Sequence, residues 1–166
     1  MTLVFDQKQS AAVYLAVNSD TNKKTQGAFI SPFVGRWDDR EYLGLDLIRN
    51  IIRQYKEYDA KLHIKKSPLL VLSASIRTLE HVYGSIFLGA DILTLPLKII
   101  YEWVEAEMWM PDTRYRIKTN GLKALQYEHI PMKKDFSDYA VGKRKNSLLD
   151  EGLAKFVKDW ENLLAK

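Results

Sequence analysis

The chain contains no cysteine. Disulfides and thiolate metal sites are therefore excluded, and nothing calls for an oxidising compartment. The N-terminus has no basic segment followed by an apolar core, so no secretory signal is expected. A membrane-spanning helix needs about 20 nearly uncharged residues. The most apolar stretch, residues 86–104, is broken by Asp91 and Lys98, so no membrane partner is expected. Charge of one sign is not in large excess either: 25 basic and 21 acidic residues leave a net +4. Lys23-Lys24, Lys65-Lys66, Lys133-Lys134 and Lys143-Arg144-Lys145 are short clusters, read as solvated loops. With no long basic run interleaved with aromatics, nucleic acid is not an expected partner. The expected location is the cytoplasm.

What is present is the composition of an ordinary globular domain, 46% hydrophobic and 28% charged over 166 residues. Chains of roughly 150 residues bury about 70% of the surface exposed when unfolded, enough for one domain with a real core. Four short apolar runs alternate with helical patterns. Thr2-Leu3-Val4-Phe5 reads as a strand and residues 7–17 as a helix. Ala28-Phe29-Ile30-Ser31 is a second strand, followed by a loop through Gly35 and Asp39. A helix is predicted over residues 42–58, with Leu43, Leu45, Leu47, Ile48, Ile51, Ile52 and Tyr55 as its apolar stripe. Residues 69–74 form a third strand, apolar on both faces. The helix over 78–88 stops at Gly89. Residues 91–95 make a fourth strand, and Pro96 suits the first turn of a helix over 97–108.

Continuously apolar strands separated by amphipathic helices indicate a parallel sheet covered by helices. This is α/β architecture, either an open sheet or part of a barrel. A complete (β/α)8 barrel takes about 250 residues and eight such units. Four units make, on count alone, half of a TIM barrel, in one domain over residues 1–166. Residues 111–147 read as an irregular excursion packed over the rest. A closing helix over 148–164 carries Leu149, Leu153, Phe156, Trp160, Leu163 and Leu164 on one side. Residues 18–26 form a polar loop. The tryptophans, Trp103, Trp109 and Trp160 among them, read as core and helix-packing residues.

In a barrel the functional side chains lie at the C-terminal ends of the strands. The second strand ends in Ser31-Pro32-Phe33-Val34-Gly35-Arg36 and the third in Ala74-Ser75-Ile76-Arg77-Thr78. Together they supply two hydroxyls and two guanidiniums. A guanidinium is a planar fork that matches phosphate oxygens, and hydroxyls with helix N-terminal amides complete such a cradle. Residue type and position therefore point to a phosphorylated ligand. The plainer reading stands beside it: Arg36 pairs with Asp38 or Asp39, Arg77 with Glu80, and the serines merely open loops. His63, His81 and His129 share no ligand spacing with a carboxylate, so no metal is expected.

These segments, SPFVGR and ASIRT, resemble those of the transaldolases and their fructose-6-phosphate aldolase relatives. The opening Thr2-Leu3-Val4-Phe5 with Gln9 is similar to the family's fifth strand and following helix. Gly89-Ala90-Asp91 with Leu93-Thr94-Leu95-Pro96 is similar to its eighth strand, and Asp150-Glu151-Gly152-Leu153, Phe156 and Asp159-Trp160 to its closing helix. The resemblance implies transfer of a dihydroxyacetone unit between sugar phosphates through a lysine Schiff base, as in the pentose phosphate pathway, with no cofactor. It implies that Arg36, Ser75 and Arg77 hold the substrate phosphate with Ser31 nearby. It further implies that Thr2, with a carboxylate from an earlier strand, holds the water used in proton transfer. Phe33 matches an aromatic beside the active site that is tyrosine in the aldolase branch, which favours the transaldolase branch.

Two departures stand out. Asp6 occupies a position usually held by a small hydroxyl residue. The family's Schiff-base lysine belongs to the fourth strand, and its acidic partners to the first and third; none is matched here. Lys98 comes nearest to a strand end but reads as an exposed helix residue. A strand placed directly after Met1 is expected of a truncated, split or internally started chain. Three outcomes follow: pairing with a separate N-terminal half to rebuild a transaldolase, self-association into a sugar-phosphate binder without the lysine, or an inactive remnant.

Overall fold

The computed structural model describes residues 1–18, 28–139 and 147–165. Most of the 18–26 loop, with Lys23-Lys24, and the cluster Lys143-Arg144-Lys145 lie outside the described residues. Helix α1 (Gln7–Asn18) begins where Asp6 Oδ1 accepts the amide of Gln9 at 2.8 Å. That is an N-cap bond, a task for which aspartate and serine serve about equally. The unusual Asp6 thus has a local explanation. Strand β1 is Ala28–Ile30 and is followed by a short helix α2 (Val34–Asp38). Next come α3 (Leu45–Lys61), β2 (Leu69–Ser73), α4 (Leu79–Leu88), β3 (Ile92–Leu93) and α5 (Leu97–Glu105). A single 3-10 turn, Phe136–Tyr139, precedes α6 (Ser147–Leu164).

The sheet is parallel, in the order β1-β2-β3, with Ile30 opposite Val71 and Ser73 opposite Leu93. The chain is therefore α/β with a small three-stranded parallel sheet. The N-terminal segment lies alongside β1 through a single bridge, Val4 to Pro32, instead of the four-residue strand expected. Leu3 explains the shortfall. Its φ of 55° breaks the extended run, and Gln9 holds that turn by accepting the Phe5 amide at 2.8 Å and donating to the Leu3 carbonyl at 3.2 Å. The predicted fourth strand also shrinks to two residues. Its pairing nonetheless continues on either side, from Asp91 N to Val71 O at 2.9 Å and from Thr94 N to Ser73 O at 3.0 Å.

Helix ends follow local chemistry. Thr78 Oγ1 accepts the His81 amide at 3.2 Å and caps α4. Past its last residue, Gly89 takes φ 86°, Gly89 N bonds Ile86 O, and Ala90 N bonds Ser85 O, both at 3.0 Å. This is the left-handed Schellman closure that glycine adopts without strain. Helix α3 starts three residues later than expected. Tyr42 instead bridges Lys123 of the excursion, with Leu43 N bonding Lys123 O and Lys123 N bonding Glu41 O, each at 2.8 Å. Helix α5 ends at Glu105 because Glu107 and Met108 both take positive φ.

The main core lies between α1, α3 and the sheet, with Tyr14, Ile30, Ile48, Ile51 and Tyr58 almost completely buried. Each such side chain contributes roughly 1.5–3 kcal/mol of burial. Residues 122–131, without regular structure, are fastened across this core by side chains that recognise their backbone. Gln7 donates to Glu128 O and accepts Glu128 N at 2.8 and 2.7 Å. Asn50 donates to Leu125 O at 2.9 Å and Asp46 accepts Leu125 N at 3.1 Å. Tyr58 donates to Ile130 O at 2.7 Å. An irregular segment must satisfy its peptide groups somehow, and here helix side chains do it.

Two expectations about burial are corrected. Strand β2 is not buried on both faces: Leu69, Val71 and Ser73 are covered, whereas Leu70 and Leu72 are half-buried, and on β1 Phe29 is 49% exposed. The helices pack on one side of this sheet, and its second face is largely open. The apolar stripe of α6 is likewise open. Leu148 and Gly152 pack toward Leu3 and Phe5, but Leu153, Phe156, Trp160, Leu163 and Leu164 face solvent. Trp160 and Trp109 are accordingly not core residues, while Trp103 is half-buried against the Ile76–Val82–Ile99 cluster.

Candidate functional site

Parallel pairing sets the ends of β1 and β2 side by side. Phe33 bridges Ala74, Val34 N bonds Ala74 O at 2.9 Å, and Gly35 N bonds Ser75 O at 3.1 Å. The loop expected through Gly35 is in fact the first turn of α2, anchored by its own amides to the end of β2. A Cβ built on Gly35 would lie 2.5 Å from both Ser75 O and Arg77 Nε. Glycine is required there because the Ser75 carbonyl, fixed by its bond to the Gly35 amide, leaves no room for a Cβ.

These contacts open a cleft of about 360 Å³ lined by Phe33, Arg36, Ser75 and Arg77, with Leu3 below and Lys155 and Phe156 of α6 at the rim. Four of the six predicted site residues are brought together. Thr2 is exposed and Ser31 half-buried, and neither lines this cleft. Ser31 is engaged through its backbone instead, its amide donating to Met1 O at 2.8 Å and its carbonyl accepting Val4 N at 3.2 Å. Ser75 has φ 59°. A left-handed serine costs of order 1–3 kcal/mol and persists only where surrounding contacts impose it.

Arg77 grips Asp39 with both terminal nitrogens, Nη2 lying 2.8 Å from Oδ2. Its partner is Asp39 and not Glu80, which accepts instead from Tyr115 Oη and from Lys118 N at 3.0 Å. Arg36 reaches Asp39 at 3.8 Å and Glu151 of α6 at 3.4 Å, and Arg40 also pairs with Glu151. The Arg77 hydrogen bond, helped by the charges of Arg77, Arg36 and Lys155, holds the Asp39 carboxyl below the usual carboxylate range. The same bond pushes the Arg77 guanidinium further up. Both guanidiniums thus already face carboxylates across an open, solvated cleft.

Behind the cleft sits His81, 5% exposed. Its Nε2 lies 2.6 Å from Asp38 Oδ2, and its Nδ1 accepts the Arg77 amide at 3.2 Å. Asp38 Oδ1 in turn accepts the Gly44 amide at 2.9 Å. Sequence reasoning overlooked this arrangement and the contribution of α6. The second had a visible signal, since Glu151, Lys155 and Asp159 recur every four residues and so share one helix face. The first had none, because Asp38 and His81 are 43 residues apart. Lys98 is exposed and pairs with Glu102 at 3.6 Å. Among the described residues no three His, Asp or Glu side chains gather where they would hold a metal ion, and no helix is long and apolar enough to cross a membrane.

Comparison with known proteins adds an independent line. The model of the transaldolase/fructose-6-phosphate aldolase family matches residues 1–166. A probable transaldolase of Sulfurihydrogenibium sp. (strain YO3AOP1) is 30% identical over 166 residues, all of this chain and 50% of that protein. One from Moorella thermoacetica is 28% identical over the same length, 51% of that protein. One from Ruegeria sp. (strain TM1040) is 41% identical over 105 residues, 61% of this chain and 45% of its own. The chain spans about half the length of the curated relatives it matches.

Proposed function

Because the chain belongs to the transaldolase/fructose-6-phosphate aldolase family, we propose that it supplies the sugar-phosphate grip of a transaldolase site, strands 5–8 of a (β/α)8 barrel. The observation that carries this reading is the convergence of Arg36, Ser75 and Arg77 on one cleft at the strand ends. The bidentate hold of Arg77 on Asp39 supports it, since a carboxylate presents two oxygens much as a phosphate does. The sequential parallel order β1-β2-β3, with the N-terminal segment beside β1, suits a barrel.

In the reaction the phosphate displaces Asp39 from Arg77, and Ser75 offers its hydroxyl. Phe33 closes one wall beside the sugar, and Thr2 and Ser31 serve the substrate from the neighbouring strand ends. Transfer of the dihydroxyacetone unit requires a Schiff-base lysine. Among the described residues lining the cleft, Lys155 is the one lysine, and it lies at the rim on α6 and not at a strand end. We assign that lysine to another part of the barrel, so this chain alone binds sugar phosphate without turning it over. The setting is pentose phosphate metabolism in the cytoplasm.

The test combines titration of the purified chain by fructose 6-phosphate with borohydride reduction and intact mass. Binding is expected, with no trapped adduct. Arg77→Ala should weaken it by about 1.5–3 kcal/mol, the worth of a hydrogen bond to a charged group, while leaving fructose unaffected. An adduct mapped to Lys155 would overturn the assignment of the lysine elsewhere, and equal losses for both sugars would sink the phosphate grip. A second reading, a self-associating binder, is favoured by the open face at Phe29 and the exposed α6 stripe. A dimer in sedimentation that binds the sugar phosphate would select it.

A further inference from the structure

Resting on the phosphate reading, we infer that His81 is a positioning residue: it locks the Arg77 backbone to α2 and so fixes the spacing of the two guanidiniums. The imidazole has both nitrogens committed. The Arg77 N–H donates to Nδ1 at 3.2 Å, so that nitrogen carries a lone pair and Nε2 carries the proton given to Asp38 at 2.6 Å. Asp38 is the last residue of α2, the helix that carries Arg36. The ring therefore spans from the loop bearing Ser75 and Arg77 to the helix bearing Arg36. It does so from within, 5% exposed, on the first turn of α4 that Thr78 caps.

This is more than a satisfied core histidine. The Arg77–Asp39 grip lies in solvent, with side chains 41% and 42% exposed, and an incoming phosphate must break it. Once Asp39 lets go, the His81 bonds still hold the Arg77 backbone against α2. The buried side of this link persists through the exchange, and the exposed side is consumed by it. Asp38 is itself oriented by the Gly44 amide at 2.9 Å, so the ring has a fixed anchor.

Asparagine and glutamine separate the two bonds. His81→Asn places a carbonyl at the position of Nδ1 and keeps an acceptor for the Arg77 amide. His81→Gln reaches toward Asp38 but leaves that amide without a partner. Inorganic phosphate is titrated calorimetrically into the full chain and each variant, with a thermal melt of every sample. Asparagine and glutamine each cut the link at one end, and His81→Asn, His81→Gln and His81→Leu are each expected to weaken phosphate by roughly tenfold, the equivalent of one lost hydrogen bond of positioning. If His81→Leu does not fold, the other two decide. Folded variants that bind phosphate as the wild type does, or losses of affinity that merely track the fall in melting temperature, overturn the inference alone. A wild-type chain that ignores phosphate, or one indifferent to Arg77→Ala, overturns the phosphate reading and this inference with it.

Discussion

Adding one methyl group at Gly35 tests whether α2 and the end of β2 form a single unit. The new Cβ would lie 2.5 Å from Ser75 O and Arg77 Nε and 2.8 Å from Arg77 Cδ. The arginine stem can swing aside. The carbonyl cannot, since it accepts the Gly35 amide at 3.1 Å and belongs to a residue already at φ 59°. Overpacking of this kind costs about 1–3 kcal/mol. A lost hydrogen bond adds about 0.5–1.5 kcal/mol. Alanine recovers roughly 1 kcal/mol through its better helix preference. Gly35→Ala should therefore destabilise the chain by a net of about 1–3 kcal/mol, lowering Tm by about 3–10 °C. It should weaken phosphate as well, because the displaced stem is that of Arg77. Gly89→Ala is the control: it has φ 86° and no atom within 4 Å of the added Cβ. Its cost is confined to a left-handed alanine, about 1–2 kcal/mol, with phosphate affinity unchanged. A Gly35→Ala chain that melts within about 2 °C of the wild type and binds phosphate equally would refute the contact at this residue.

Ser75→Gly removes both a left-handed side chain and a cleft hydroxyl. Calorimetry should find it as stable as the wild type or up to about 1–2 kcal/mol more stable, yet poorer at holding phosphate, because strain and hydroxyl belong to the same residue. Asp39 bears on pH. A carboxyl whose folded pKa is lowered contributes stability fully above its ordinary value near pH 4, and that contribution fades as the pH falls through the lower folded value. Melts from pH 6 to 2 should show a shallower acid limb for Asp39→Asn, by less than about 1 kcal/mol, since the pair is solvated. An unchanged limb would mean the pair contributes nothing.

How far the sequence could be read depended on whether its signals were local. Gly89 ends α4 as expected because a left-handed stop acts within a few residues, and Thr78, expected as the first helical residue, is its cap. The β2 run and its parallel neighbours were likewise visible in their apolar character. Leu3 gave no sign of its positive φ, which Gln9 stabilises from the following helix. Helix α2 was hidden because Gly35 reads as a breaker until the strand end that satisfies its amide is known. In the site, ASIRT and SPFVGR pointed to Arg36, Ser75 and Arg77 and to a partner for Arg36 in Asp39, but Asp39 reaches Arg77 and Glu151 reaches Arg36 from separate elements. The stripe of α6 was correctly seen as apolar. Whether such a stripe is buried depends on what faces it, which periodicity alone does not specify.

The segment that crosses α1 and α3 is fastened at its peptide groups. Gln7, Asp46, Asn50 and Tyr58 grasp the peptide groups of Leu125, Glu128 and Ile130, not their side chains. Ala124, Gln126, Glu128 and His129 are exposed. At those four positions the strap is held by length and not by wording, whereas Leu125, Tyr127 and Ile130 also pack or bond inward. Exchanging those four residues for others leaves its fastening points intact, whereas a residue inserted between 125 and 130 moves every later peptide out of reach. Proline at 125 or 128 deletes an amide that Asp46 or Gln7 needs. Natural variation should accordingly be free at the four exposed positions and strict in count over the whole stretch.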